Sequence, residues 1–114
     1  MELATTLAPG IYPAGQLDRI PVGEGRRISI GDEEIAVFRT REGGVHAVQA
    51  NCPHLGGALA DGIVGAGRVS CPLHGHSFEL STGEPVSNPC AALRTYPVEV
   101  GPSGELTIRI GAAE

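Results

Sequence analysis

Apolar and polar residues alternate along much of this chain, and the alternation has a period of two. That period puts successive side chains on opposite faces of an extended backbone and predicts strands. Residues 27–30 give the first such stretch and 34–40 the second, with Ile35, Val37 and Phe38 expected inward. A third strand is expected over 45–49, with Val45 and Ala47 on one face and His46 and Val48 on the other. Residues 62–64 and 68–70 read as a hairpin joined through Gly65-Ala66-Gly67, followed by a short strand over 77–80. Residues 94–100 alternate again, with Tyr96, Val98 and Val100 opposite Thr95, Pro97 and Glu99. Residues 105–110 close the pattern, with Leu106, Ile108 and Ile110 on one face. The opening residues 1–17 carry Pro9-Gly10 and Pro13 as breakers and are expected to be loosely structured, with a helical turn over 17–20. Residues 85–93 hold two prolines and read as a long irregular loop. No stretch sustains a 3.6-residue period over three turns, so the expected class is all-β with antiparallel connections.

Composition narrows this picture. A length of 114 residues suits one domain, 1–114. Hydrophobic residues make up 41% of the chain but aromatic residues only 4%, with no Trp, so the core has to be mainly aliphatic. The 17 glycines and 9 prolines are interspersed with apolar runs, which points to many turns rather than to disorder. Formal net charge is −5, and all 8 basic residues are Arg. Only Arg26-Arg27 are adjacent, so no basic stripe suggests a nucleic-acid partner. The N-terminal residues have neither a basic start nor a long apolar stretch, and no run reaches the length of a membrane span. Neither a signal peptide nor a membrane partner is expected. Three cysteines are an odd number, which argues against a disulfide framework and for a reducing, cytoplasmic setting.

The chemistry is concentrated in residues 51–78. Two thiols and two imidazoles fall in matched pairs, Cys52-x-His54 and Cys71-x-x-His74, with 16 residues between the pairs. Each pair offers one soft sulfur ligand and one borderline nitrogen ligand, the set for a [2Fe–2S] centre in which two histidines replace two cysteines on one iron. Gly56-Gly57 and Gly75 would let the two loops fold tightly around such a group. Structural zinc also accepts two Cys and two His, but usually takes its cysteines from one Cys-x₂₋₄-Cys knuckle, whereas here each loop mixes the types. A nucleophilic Cys/His pair would leave the duplication unexplained. Cys90, between Pro89 and Ala91, reads as a small buried hydrophobe. His46 falls in a predicted strand and reads as structural, while His76, two residues past His74, is either a neighbour of the centre or an exposed loop residue. There is no Gly-x-Gly-x-x-Gly following a strand and no Walker loop, hence no sign of a nucleotide site. The chain is also short for a substrate pocket beside a metal centre, so an electron-transfer component is expected rather than an enzyme that turns over a substrate by itself.

With these motifs in view, the chain resembles the Rieske iron–sulfur family. The residues that carry the resemblance are Cys52-Pro-His54-Leu-Gly-Gly57, Gly62-Ile-Val64, Arg68-Val-Ser-Cys71-Pro-Leu-His74-Gly75, Phe78, Leu80, Thr82-Gly83-Glu84 and Arg94-Thr-Tyr96-Pro97-Val98. The resemblance implies three small antiparallel sheets, with a cluster-binding subdomain over about 51–77 and a proline-containing cover loop at 85–93. It implies that Cys52 and Cys71 bind one iron of a [2Fe–2S] cluster, and that His54 and His74 bind the other through Nδ1, with Nε2 left at the surface for a partner.

Departures from the family pattern carry information. High-potential members have a disulfide at the positions of Gly57 and Leu73, and Ser and Tyr hydroxyls at those of His76 and Phe78. None of the four is retained, which implies the low end of the Rieske potential range. Among low-potential members, the residues Cys52-Pro-His-Leu-Gly-Gly-Ala-Leu-Ala-Asp-Gly-Ile-Val64 are most similar to the small subunit of NAD(P)H-dependent nitrite reductase. The ferredoxin of a ring-hydroxylating dioxygenase system is the alternative, and a zinc-stabilised or clusterless interaction subunit a remote one. The implied partners are an electron-donating reductase and an electron-accepting oxidoreductase, either a nitrite reductase large subunit or an oxygenase.

Overall fold

A computed structural model of the chain describes residues 9–53, 56–73, 76–86 and 91–111. Among the described residues the alternating stretches and the opening segment form ten strands: β1 (Gly10–Gln16), β2 (Glu24–Ile30), β3 (Glu33–Arg39), β4 (Val45–Gln49), β5 (Ile63–Gly65), β6 (Arg68–Ser70), β7 (Ser77–Glu79), β8 (Thr95–Tyr96), β9 (Val98–Val100) and β10 (Glu105–Ile110). They form three sheets, in the orders β1-β10-β9, β2-β3-β4-β8 and β5-β6-β7, and every pairing is antiparallel. Among the described residues, helical structure is limited to 3-10 turns at Leu17–Arg19 and Leu59–Asp61. No helix there is long and apolar enough to cross a membrane.

Strand β3 is the hinge of the packing. Its run Ile35-Ala36-Val37-Phe38 is fully buried, because the strand has a core on each face. Ile35 and Val37 join Ile20, Ala47, Leu106, Ile108 and Ile110 between the two larger sheets. Ala36 and Phe38 face the other way, with Val48, Leu59, Val69, Phe78, Leu80, Cys52 and Cys71. Phe38 therefore does not share a face with Ile35 and Val37, as the sequence pattern alone suggested. Its ring lies over Gly25, its register partner on β2, and leaves no room for a Cβ there.

Two elements differ from expectation. The opening segment is not loose: β1 pairs with β10 despite Pro13, which sits opposite Thr107 and next to a register shift. As the outer strand of its sheet, β1 tolerates a residue that cannot donate to the ladder. Residues 94–100 are not one strand but two: β8 pairs with β4 and β9 with β10, in different sheets. Pro97 lies at the break, where it has no N–H to offer. The predicted hairpin of β5 and β6 is present, and its two turn residues, Ala66 (φ 53°) and Gly67 (φ 74°), are both left-handed as a two-residue hairpin turn requires.

Candidate metal centre

The first ligand loop leaves the end of β4 and is shaped by its own backbone. The Cys52 N–H donates to Gly57 O (2.8 Å), the Gly56 N–H donates to Cys52 O (2.8 Å), and Asn51 bridges Ala58. Gly56 makes the turn possible with φ of 79°, a conformation that costs other residues energy. The Asn51 side chain adds a clamp, Nδ2 donating to Gly56 O at 2.9 Å. The second loop spans the β6–β7 connection. It is closed by the Cys71 N–H donating to His76 O (2.7 Å) and, one pair further out, by the Ser70 and Ser77 hydroxyls at 2.9 Å.

The two loops meet at Gly57. A Cβ placed on this buried glycine would lie 2.7 Å from Cys71 Sγ and 3.0 Å from Leu73 Cγ. Gly57 and Leu73, the two positions at which the resemblance places a disulfide in high-potential members, are thus in contact. Here a leucine side chain, itself 55% exposed, lies against glycine. Cys52 and Cys71 are both buried, unlinked to each other and part of one apolar core. Two unlinked thiols, one from each loop, supply soft sulfur donors at a water-poor site, and a [2Fe–2S] group fits that donor set. His54 and His74, the expected nitrogen ligands, lie outside the described residues, as does Cys90.

Strand β7 carries the segment that follows. The Val86 N–H donates to Ser77 O (2.8 Å), Pro85 bridges Phe78, and the Leu93 N–H donates to Gly83 O (2.7 Å). One described end of the 85–93 loop is therefore pinned to β7 beside the second ligand loop, and the other to Gly83 in the turn beyond β7. A Cβ on Gly83 (φ 80°) would run into the Leu93 carbonyl oxygen. Phe78 is fully buried and His76 is 8% exposed, so His76 belongs to the packed base of the site and not to an exposed loop. That burial had no signature in the local sequence. His46, on β4, is half-buried, and desolvation holds its imidazole below the usual histidine range. Beside the first loop, Ser29 Oγ donates to Glu34 Oε2 (2.7 Å) and Arg27 Nε to Glu34 Oε1 (3.1 Å), which together hold the Glu34 carboxyl below its ordinary range.

Comparison with known proteins accounts for this geometry. The family model for the Rieske [2Fe-2S] domain matches residues 10–97. The chain belongs to the Rieske [2Fe-2S] domain family. It is 32% identical over 88 residues to the ferredoxin component of the naphthalene 1,2-dioxygenase/salicylate 5-hydroxylase systems of a Ralstonia species, a match covering 76% of this chain and 84% of that one. It is 42% identical over 83 residues to cholesterol 7-desaturase of Xenopus laevis, covering 67% of this chain but only 18% of that longer protein. Among solved structures, one assigned as the NADH-dependent nitrite reductase small subunit of Mycobacterium tuberculosis superposes with a TM-score of 0.83 at 28% identity. That match covers 93% of this chain and 99% of the other. The protein is a Rieske ferredoxin-like electron carrier of the [2Fe–2S] type, built as an all-β domain of three small antiparallel sheets.

Proposed function

We propose that Cys52 and Cys71 ligate one iron of the cluster, that His54 and His74 ligate the other, and that residues 1–114 act as a single electron-transfer domain. When bound, such a centre takes up and gives back one electron at a time. The observation that carries this reading is the pair of buried, unlinked thiols of Cys52 and Cys71, each on a loop closed by its own backbone hydrogen bonds. The chain's residues bring the two loops together at Gly57 and exclude water from the sulfurs. We assign the partners as a reductase that donates the electron and an oxidoreductase that accepts it, in the cytoplasm.

The small subunit of an NAD(P)H-dependent nitrite reductase is the reading we favour, supported by the superposition over nearly the full length of both chains. The ferredoxin of a ring-hydroxylating dioxygenase is the second reading, supported by the higher sequence identity to a ferredoxin component. Both have the same chemistry and differ in the acceptor. Anaerobic mixing of the reduced protein with a nitrite reductase large subunit and, separately, with an oxygenase distinguishes them by which one oxidises it.

Iron and sulfide analysis of freshly purified protein, with EPR of the dithionite-reduced sample, tests the assignment. Two irons, two sulfides and a rhombic signal are expected. One zinc and no colour, or no metal at all, would refute it. The midpoint is expected near the bottom of the Rieske range, about −150 mV, because Phe78 and His76 bring no hydroxyl donor to the centre. A midpoint well above zero would contradict that expectation.

A further inference from the structure

One carboxamide ties the two sides of the centre together. Gln49 is the last residue of β4. Its Nε2 donates to Asn51 O at 2.8 Å, one residue before Cys52. Its Oε1 accepts from the Arg94 N–H at 2.7 Å, and its own backbone N–H donates to Arg94 O at 2.9 Å. Gln49 therefore grips Arg94 at both backbone groups, and Arg94 directly follows Leu93, which is buried in the same core as Cys52 and Cys71. Asn51 continues the connection: its Nδ2 holds Gly56 O across the first ligand loop at 2.9 Å, and its Oδ1 accepts from Arg27 at 3.4 Å.

We propose that Gln49 and Asn51 are positioning residues for the electron-transfer centre: their amides form a strut that fixes the backbone on both sides of Cys52 and couples it to the exit of the 85–93 loop. The inference rests on the electron-carrier reading above. A primary amide is suited to this place because it donates at one atom and accepts at the other. Glutamate in place of Gln49 could still accept from the Arg94 N–H but could not donate to Asn51 O. Methionine could do neither at similar size. An electron carrier works best when its ligand loops move little between oxidation states, and outer hydrogen bonds of this kind are what hold ligands in place.

The test uses the cluster-loaded full chain with the variants Gln49→Glu, Gln49→Met and Asn51→Ala. Release of the cluster to excess chelator is followed by loss of visible absorbance, and the spread of ligand geometries by EPR line width. Each lost hydrogen bond is expected to speed release by about two- to tenfold, with Gln49→Met faster than Gln49→Glu and lines broadened in all three. The double variant Gln49→Met/Asn51→Ala is expected to fall short of the product of the single effects, because both belong to one strut. Wild-type release rates and line widths in the single variants overturn the inference. A lowered melting temperature with unchanged line widths also overturns it, since the amides would then be merely structural. A wild-type protein purified without iron and sulfide overturns the electron-carrier reading and takes the inference with it.

Discussion

Replacing Gly57 by alanine asks for one methyl group at the place where the two ligand loops touch. The new Cβ would lie 2.7 Å from Cys71 Sγ, 3.0 Å from Leu73 Cγ and 3.2 Å from Leu73 Cδ1. Ordinary contacts between such atoms begin at about 3.5 Å, so a gap of roughly 0.8 Å has to open at the sulfur. Leu73 can swing away, being more than half exposed. Cys71 cannot do so freely: it is buried, its N–H is held by His76 O, and its thiolate is the proposed iron ligand. Overpacking of this kind costs about 1–3 kcal/mol. For a domain of this size that is a fall in melting temperature of roughly 4–13 °C.

The damage should be local to the metal. Gly57→Ala is expected to be purified with reduced iron and sulfide, and its residual EPR signal should be shifted or broadened. Gly56→Ala is the control. Among the described residues nothing lies within 4 Å of a Cβ there, but φ is 79°, so the cost is backbone strain of about 1–2 kcal/mol with no push on either cysteine sulfur. Iron content per folded protein and EPR g-values, set beside melting temperature, separate the two mechanisms. A Gly57→Ala protein with full iron content and unchanged g-values would refute the reasoning, whatever its melting temperature.

Other expectations follow from the same structure. Gly83→Ala combines a left-handed φ with a clash against the Leu93 carbonyl, and should cost at least about 2 kcal/mol, read as a lowered urea midpoint. Phe38→Ala empties the centre of the core beneath the ligand loops and should cost about 3–5 kcal/mol by the same assay; a loss under 1 kcal/mol would mean that this core is not packed as described. His46 has a folded-state pKa below its unfolded value, so the unfolded chain binds the proton more readily. Its contribution is present above the unfolded value of about 6.5 and is lost as pH falls through that value toward the depressed one. Urea midpoints at pH 8 and pH 5 should therefore differ more for the wild type than for His46→Gln, and equal differences would contradict the assignment.

The parts of the fold legible in the sequence are those where local pattern and tertiary burial agree. Strand β10 falls where the alternation predicts it because it has one consistently buried face, and β4 because its two faces meet different cores, Ala47 in one and Val48 in the other. Strand β1 was hidden because its partner, β10, is at the far end of the chain, and proline marks a breaker only where the ladder needs its N–H. The run 94–100 alternates without interruption, yet a period of two does not say to which sheet each half belongs. In the candidate centre, the cysteines were legible because a thiol and an imidazole recur together twice. The burial of His76 and the grip of Gln49 on Arg94 were not: the second joins residues 45 apart in sequence and is carried by an ordinary surface amide.

The glycines around the centre divide by the reason each is needed. Gly56 is required by its dihedral angle, Gly57 by the sulfur beside it, Gly62 by the Ser70 carbonyl that fills the place of a Cβ, and Gly83 by both conformation and contact. Each lies on or beside a segment that shapes the metal site, and each removes a different obstacle to bringing backbone close to backbone. The core between the two larger sheets contains neither cysteine, whereas the core beneath the ligand loops contains both. Stability and chemistry are thus partly separable in this domain. Weakening the first core should lower the melting temperature while the EPR signal of the remaining folded protein stays the same. Crowding the second should change the signal itself, because there the packing atoms and the proposed ligands are the same residues.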